Sequence, residues 1–111
     1  MNPTQLSDLV YVYGQINASD IESLKAQGFM TVICNRPDGE EPGQPSASLI
    51  QSAVEGAGMR FFYVPFNPSN PSETMVADFS AALDAAPEGK VLAYCRSGNR
   101  SSRLWQATGC R

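Results

Sequence analysis

The sequence predicts an α/β fold: a three-layer sandwich with a mainly parallel central sheet. Short β-branched and aromatic runs alternate with stretches of helical periodicity, in the order β-α-β-α-β-α-β-α. Residues 29–34 and 90–93 are almost wholly apolar, as strands covered on both faces must be. Turn formers and helix-capping residues follow the strands, as right-handed crossovers between parallel strands require.

Residues 1–8 are polar and read as a loose leader. Residues 9–13, Leu-Val-Tyr-Val-Tyr, have the make-up of a strand and close on Gly14. Asn17 to Asp20 offer caps for a helix over 20–27, which Gly28 ends. The second strand covers 29–34. Residues 35–45 form a loop, because three prolines, two glycines and four charges cannot pack as core. It is attached to a strand end, where open α/β sheets place ligand sites. Ser46 caps a helix over 47–56 with Leu49, Ile50, Ala53 and Val54 facing inward. Residues 60–66 make a third, aromatic strand. After a Pro-rich turn, Ser72, Glu73, Thr74 and Met75 open a helix that runs to 85, its buried stripe being Met75, Val76, Phe79, Ala82 and Leu83. The fourth strand begins at Lys90, and a short last helix covers 99–110.

Between that strand and that helix lies Tyr94-Cys95-Arg96-Ser97-Gly98-Asn99-Arg100-Ser101-Ser102. A thiol at a strand end, a Gly-containing loop and a helix start form a geometry in which backbone N–H groups converge on one point. Such a field lowers the pKa of a cysteine at the loop's mouth. Arg100 offers a planar fork of donors for an oxyanion. A lone cysteine after an apolar strand is usually a small buried hydrophobe. Here six of the nine residues quoted are polar or charged, which makes a poor core and a good anion site. Cys95 is therefore read as a nucleophile, with Arg100 as its catalytic partner. Arg96, Ser97, Gly98, Asn99 and Ser101 form the cradle, and Arg36 and Asp38 either rim the pocket or pair with each other. Ser101 either donates to the Cys95 sulfur or caps the helix. Cys34, at the neighbouring strand end, reads as a buried thiol, with a resolving role as the rarer alternative.

At 111 residues the chain holds one core and one domain, residues 1–111. The last helix is barely three turns, so the reading also admits the N-terminal part of a longer protein. A net charge of −3 argues against a broad nucleic-acid surface, while clustered arginines argue for a local anion site. No apolar run is long enough to span a bilayer and no signal pattern opens the chain, so a cytoplasmic location is expected. Three dispersed cysteines, Cys34, Cys95 and Cys110, suit neither a disulfide framework nor a zinc site. The absence of histidine removes Cys-His and Ser-His-Asp catalysis, so activation of Cys95 falls to amides, a helix end and arginine. No metal and no cofactor is expected.

Residues 9–20, the run Thr31-Val32-Ile33-Cys34-Asn35-Arg36-Pro37-Asp38-Gly39-Glu40-Glu41-Pro42-Gly43-Gln44-Pro45 and the run 92–101 resemble a bacterial family. It is the phosphatase-like domain found alone or fused to metallo-β-lactamase-type hydrolases, the β-lactamase hydrolase-like proteins. The resemblance implies the fold of protein tyrosine and dual-specificity phosphatases, and a fused or associated metallo-β-lactamase-like enzyme as partner. Members of the family are labelled either phosphatases or sulfur transferases.

Loop length separates the two chemistries. Cysteine phosphatases look like C-x5-R; here four residues, Arg96 to Asn99, separate Cys95 from Arg100, and Ser101 falls where that arginine would stand. Cys-Arg-Ser-Gly-Asn-Arg is instead similar to the active loop of rhodaneses, which carry sulfur as a cysteine persulfide. Phosphatases of this fold also place an acid on a neighbouring loop, and residues 66–72 contain no carboxylate, although Asp38, Glu40 or Glu41 could supply one from the other loop. The expectation is a rhodanese-type sulfurtransferase working through a Cys95 persulfide on a small anionic donor such as thiosulfate. The first alternative is a phosphatase working through a Cys95 phosphothiolate on a phosphate ester, and the second a non-catalytic anion-binding or docking module.

Overall fold

A computed structural model describes residues 2–69 and 73–109. Five strands form one sheet: β1 (Thr4–Gln5), β2 (Val10–Tyr13), β3 (Phe29–Cys34), β4 (Arg60–Tyr63) and β5 (Lys90–Tyr94), in the order β1-β2-β5-β3-β4. All neighbours run parallel except β1, which pairs antiparallel with β2. The helices are α1 (Ile21–Ala26), α2 (Ala47–Gly56), α3 (Met75–Ala85) and α4 (Asn99–Ala107), with a 3-10 turn over Ala18–Asp20 leading into α1.

The alternation of the strands divides the core into two layers. On one face Val32, Leu92 and Tyr94 pack with Leu24 of α1 and with Ile50 and Val54 of α2. On the other, Val12, Ile33 and Ala93 pack with Phe79 of α3 and Leu104 of α4. β5 lies at the centre, between β2 and β3, and is buried along Val91–Tyr94. Each fully buried Leu, Ile or Phe contributes about 1.5–3 kcal/mol of apolar transfer energy. The three-layer architecture is thus as the sequence predicts.

Three local expectations give way. The leader is not loose: Thr4 and Gln5 pair with Val12 and Tyr11, and Leu6 packs against the core layer that holds Val12 and Leu104. Leu49 does not face inward; it is 52% exposed, because the inward stripe of α2 runs through Ala47, Ile50 and Val54 and Leu49 lies beside it. The aromatic strand stops at Tyr63, after which Val64 and Phe66 stay buried while their amides bond the carbonyls of Cys34 and Asn35. Ser46 caps α2 as expected, accepting from Leu49 N–H at 3.1 Å. Ser72, expected to open α3, and Cys110, expected to end α4, lie outside the described residues.

All four parallel strands end on the same edge of the sheet. β5 delivers Cys95 to the middle of that edge, flanked by Gly14 and Gln15 after β2 and by Asn35 and Arg36 after β3. Centrality in the sheet is what makes Cys95 the position on which the neighbouring loops converge.

Candidate active site

The loop after β5 curls because Gly98 adopts φ +93°, a conformation open to glycine and strained for other residues. The curl turns Gly98 N–H back onto the Cys95 sulfur, Sγ, at 3.0 Å. The amides of Ser97 and Ser101 also favour the charged form of the sulfur, and Gly98 is the N-cap of α4. Burial opposes ionisation of this fully covered thiol. The backbone amides of Ser101, Ser97 and Gly98 outweigh it, and hold the Cys95 pKa below the ordinary thiol value. The sulfur is therefore a buried anion site built from backbone dipoles. The bonded neighbour of the sulfur is a polar backbone group.

The loop is keyed to β2. Cys95 N–H donates to Tyr13 C=O and Gln15 N–H to Arg96 C=O. Gly14 is required by close approach: a Cβ there would stand 2.9 Å from the Arg96 carbonyl oxygen. On the other side, Asn35 is wholly buried, donates to Val64 C=O at 2.8 Å, and accepts from the Ser101 hydroxyl at 2.8 Å. The Ser101 hydroxyl thus ties α4 to the loop after β3, and is not the helix cap.

Arg100 is held from two directions. Its Nη1 donates to Glu40 Oε2 at 2.7 Å and to Phe66 C=O at 2.9 Å, and its Nη2 donates to Glu40 Oε1 at 2.8 Å. Glu40 is shared with Arg36 Nε at 2.9 Å, and the Arg100 bonds first, then Arg36, hold its carboxyl at about 2. The sequence singles out Glu40 only as one of three potential acids. Its position in the series Glu40-Glu41 after Arg36 carries no visible sign of pairing with an arginine sixty residues away.

Arg36 and Asp38 neither pair with each other nor face the sulfur. Arg36 is buried and bonded to Glu40, Glu41 and Gln15, so it braces the loop after β3. Asp38 accepts from Ala47 N–H at 2.7 Å and so sits at the start of α2. Arg96 points outward, 70% exposed, with Glu41 at 3.9 Å. The side chains of Ser97 and Asn99 lie on the exposed outer face of the loop, and Ser97 Oγ accepts from Asn99 N–H at 3.4 Å. Cys34 is buried, its thiol donating to Arg36 C=O at 3.3 Å; burial pushes its pKa up, as for a structural thiol. Gln15 and Asn35 both support the site, and nothing in the sequence marks either for it, because an amide side chain has no spacing that announces its partner.

Three comparisons bear on this arrangement. The family model for the beta-lactamase hydrolase-like protein, phosphatase-like domain, matches residues 4–110. Beta-lactamase hydrolase-like proteins of Agrobacterium fabrum and Xylella fastidiosa are 36% and 32% identical over 95% of the chain. The chain spans only 24% of the length of these relatives. Among solved structures, a candidate phosphatase from Neisseria meningitidis is similar with a TM-score of 0.80 and 37% identity, over 91% of this chain and 71% of that one. Another from Shewanella putrefaciens gives 0.83 and 27%, over 96% and 66%. The core catalytic domain of the PP-IP phosphatase of S. cerevisiae, in complex with citrate, shares the fold at 0.64 with 17% identity, over 94% and 62%.

Proposed function

The chain belongs to the phosphatase-like domain family of the beta-lactamase hydrolase-like proteins, and on that premise we propose that it is a cysteine-dependent phosphatase. The comparisons speak for this reading over the sulfurtransferase that the loop length suggests. The observation that carries it is the Cys95 sulfur ringed by three amides beside an arginine oriented by Glu40. In this mechanism the Cys95 thiolate attacks phosphorus, an S–P bond forms, and the P–O bond to the leaving group breaks. Loop amides and the Nε and remaining Nη2 hydrogens of Arg100 hold the phosphoryl oxygens. Water then attacks the phosphothiolate, the S–P bond breaks, and phosphate leaves as the thiolate returns. The thiol is fully covered in the resting structure, so a substrate reaches it by displacing rim side chains.

The leaving group has to depart without a strong proton donor. Glu40, with a pKa of about 2, is ionised at neutral pH, and Asp38 is engaged by the backbone of α2. Among the described residues no other carboxylate is bonded at the loop except Glu41, which pairs with Arg36. Esters and anhydrides whose leaving oxygen is a stable anion, such as aryl or acyl phosphates, fit this site.

A second reading stands on a specific observation: the four-residue spacing from Cys95 to Arg100. There Cys95 thiolate attacks the outer sulfur of thiosulfate, a new S–S bond forms, the old one breaks, and sulfite leaves as an anion that needs no proton. A thiol or cyanide then removes the sulfur from the persulfide. Incubation with an aryl phosphate and, separately, with thiosulfate plus cyanide distinguishes the two. Phosphate release that vanishes in Cys95→Ser is the expected result; thiocyanate without phosphate release replaces the proposal with sulfur transfer. Turnover of neither, with ordinary thiol reactivity at Cys95, would leave an anion-binding module.

A further inference from the structure

Four arginines stand at or near the loop after β5, and three of them are committed to the fold. Arg36 is buried, with Nε on Glu40, Nη2 on Glu41 and Nη1 on Gln15. Arg100 has both Nη atoms on Glu40 and a further bond from Nη1 to Phe66 C=O. Arg103 lies over the Phe66 ring, 5.5 Å from its centroid. The fourth, Arg96, differs. Its side chain is 70% exposed, and among the described residues its polar neighbour is Glu41 Oε2 at 3.9 Å, beyond hydrogen-bonding distance. Glu41 is itself engaged, since its other oxygen accepts from Arg36 at 3.1 Å. Glu40 and Glu41 thus answer Arg36 and Arg100, and Asp38 accepts from the Ala47 amide. The charge of Arg96 is left without a bonded partner, on the residue next to the nucleophile.

The side chain of Arg96 is free but its backbone is not. Its carbonyl accepts from Gln15 N–H, and Gly14 leaves room for that carbonyl. Consecutive Cα atoms are about 3.8 Å apart, so the guanidinium is rooted at a fixed point of the rim, one residue from the sulfur. Ser97 and Asn99, the next exposed residues of the loop, add hydroxyl and amide groups and no carboxylate. A guanidinium presents a planar fork of donors that matches a carboxylate or a phosphate. The reacting phosphoryl group is taken by the loop amides and Arg100. An oxyanion that meets Arg96 is therefore a different one, carried on the body of the substrate.

We infer that Arg96 is a specificity residue: it recognises a second anionic oxygen group, a carboxylate or a phosphate, on the body of a phosphate ester whose phosphoryl group occupies the amide loop. The inference rests on the phosphatase reading for the identity of the reacting group. Because the fork is exposed to solvent, it acts as a surface ion pair does, with an effect of about 5-fold on affinity. Salt weakens that effect.

Binding and turnover separate the inference from its premise. Calorimetric titration of Cys95→Ser with phenyl phosphate and with its ortho-, meta- and para-carboxylated derivatives measures recognition without chemistry. At low salt, at least one carboxylated ester is expected to bind about 5-fold more tightly than phenyl phosphate. Adding Arg96→Gln to Cys95→Ser is expected to abolish that advantage, and Arg96→Lys, which keeps the charge, to return part of it. No advantage for any carboxylated ester, an advantage that survives Arg96→Gln, or no binding of any of these compounds overturns the inference. Phosphate release by the unaltered protein tests the premise. The preference without phosphate release overturns only the phosphatase reading, and phosphate release without the preference overturns only the inference.

Discussion

A covered thiol ordinarily resists ionisation, and Cys34, buried at the end of β3, does so. Cys95 behaves oppositely although burial acts on both. The difference lies in the three amides aimed at one sulfur against a single carbonyl accepting from the other. Alkylation of Cys95 by iodoacetamide is therefore expected to show a midpoint below the ~8.5 of a free thiol. Gly98→Ala, which forces a side chain onto φ +93° with Tyr13 backbone 3.4 Å away, should raise that midpoint by disturbing the Gly98 amide. Glu40 supplies the second prediction. Its carboxyl is depressed from 4.5 to about 2, so the stability contributed by its pairing is present above 4.5 and is lost as pH falls toward 2. Glu40→Gln should lose that acid-limb dependence in denaturation curves. It should also lower kcat/KM by roughly 10- to 100-fold, because Arg100 is no longer held in orientation.

At the scale of elements, the junction of β2 with the loop after β5 is a close fit to backbone. Gly14→Ala sets a methyl group 2.9 Å from Arg96 C=O, and backbone cannot move aside as a side chain could. Activity is expected to fall sharply, with the circular-dichroism spectrum retained. Gly56→Ala, in α2 with open space around it, should leave activity unchanged and stabilise by about 0.5–1 kcal/mol. In the same helix Ile50→Ala should cost about 2–5 kcal/mol by urea titration, against within ~0.5 kcal/mol for Leu49→Ala. Periodicity finds the helix but assigns Leu49 wrongly. A residue at the margin of an apolar stripe is buried only if a partner stands opposite, and none does at Leu49, which is 52% exposed.

For the whole molecule, the site is an edge property. No single element contains it: β2, α4 and the loops after β2, β3, β4 and β5 all contribute bonded groups. An oxyanion bound in the ring should therefore stabilise the entire domain by mass action, since it binds the folded state alone. Tungstate is expected to raise the melting temperature by several degrees in the unaltered protein and much less in Arg100→Ala. Among the described residues no helix is long and apolar enough to cross a membrane.

Local chemistry is legible in the sequence because it is written in neighbouring residues. The alternation of strands and helices, the Ser46 cap and the run from Cys95 to Ser101 all depend on spacings within a dozen positions, and they appear where expected. The pairings of Glu40 with Arg100, Asn35 with Ser101 and Arg36 with Gln15 do not, since they join residues 60, 66 and 21 positions apart. Such contacts exist only once parallel strands bring their ends to one edge. That convergence, and not the motif, decides which arginine is tied across from α4 to Glu40 and which is spent bracing the loop after β3.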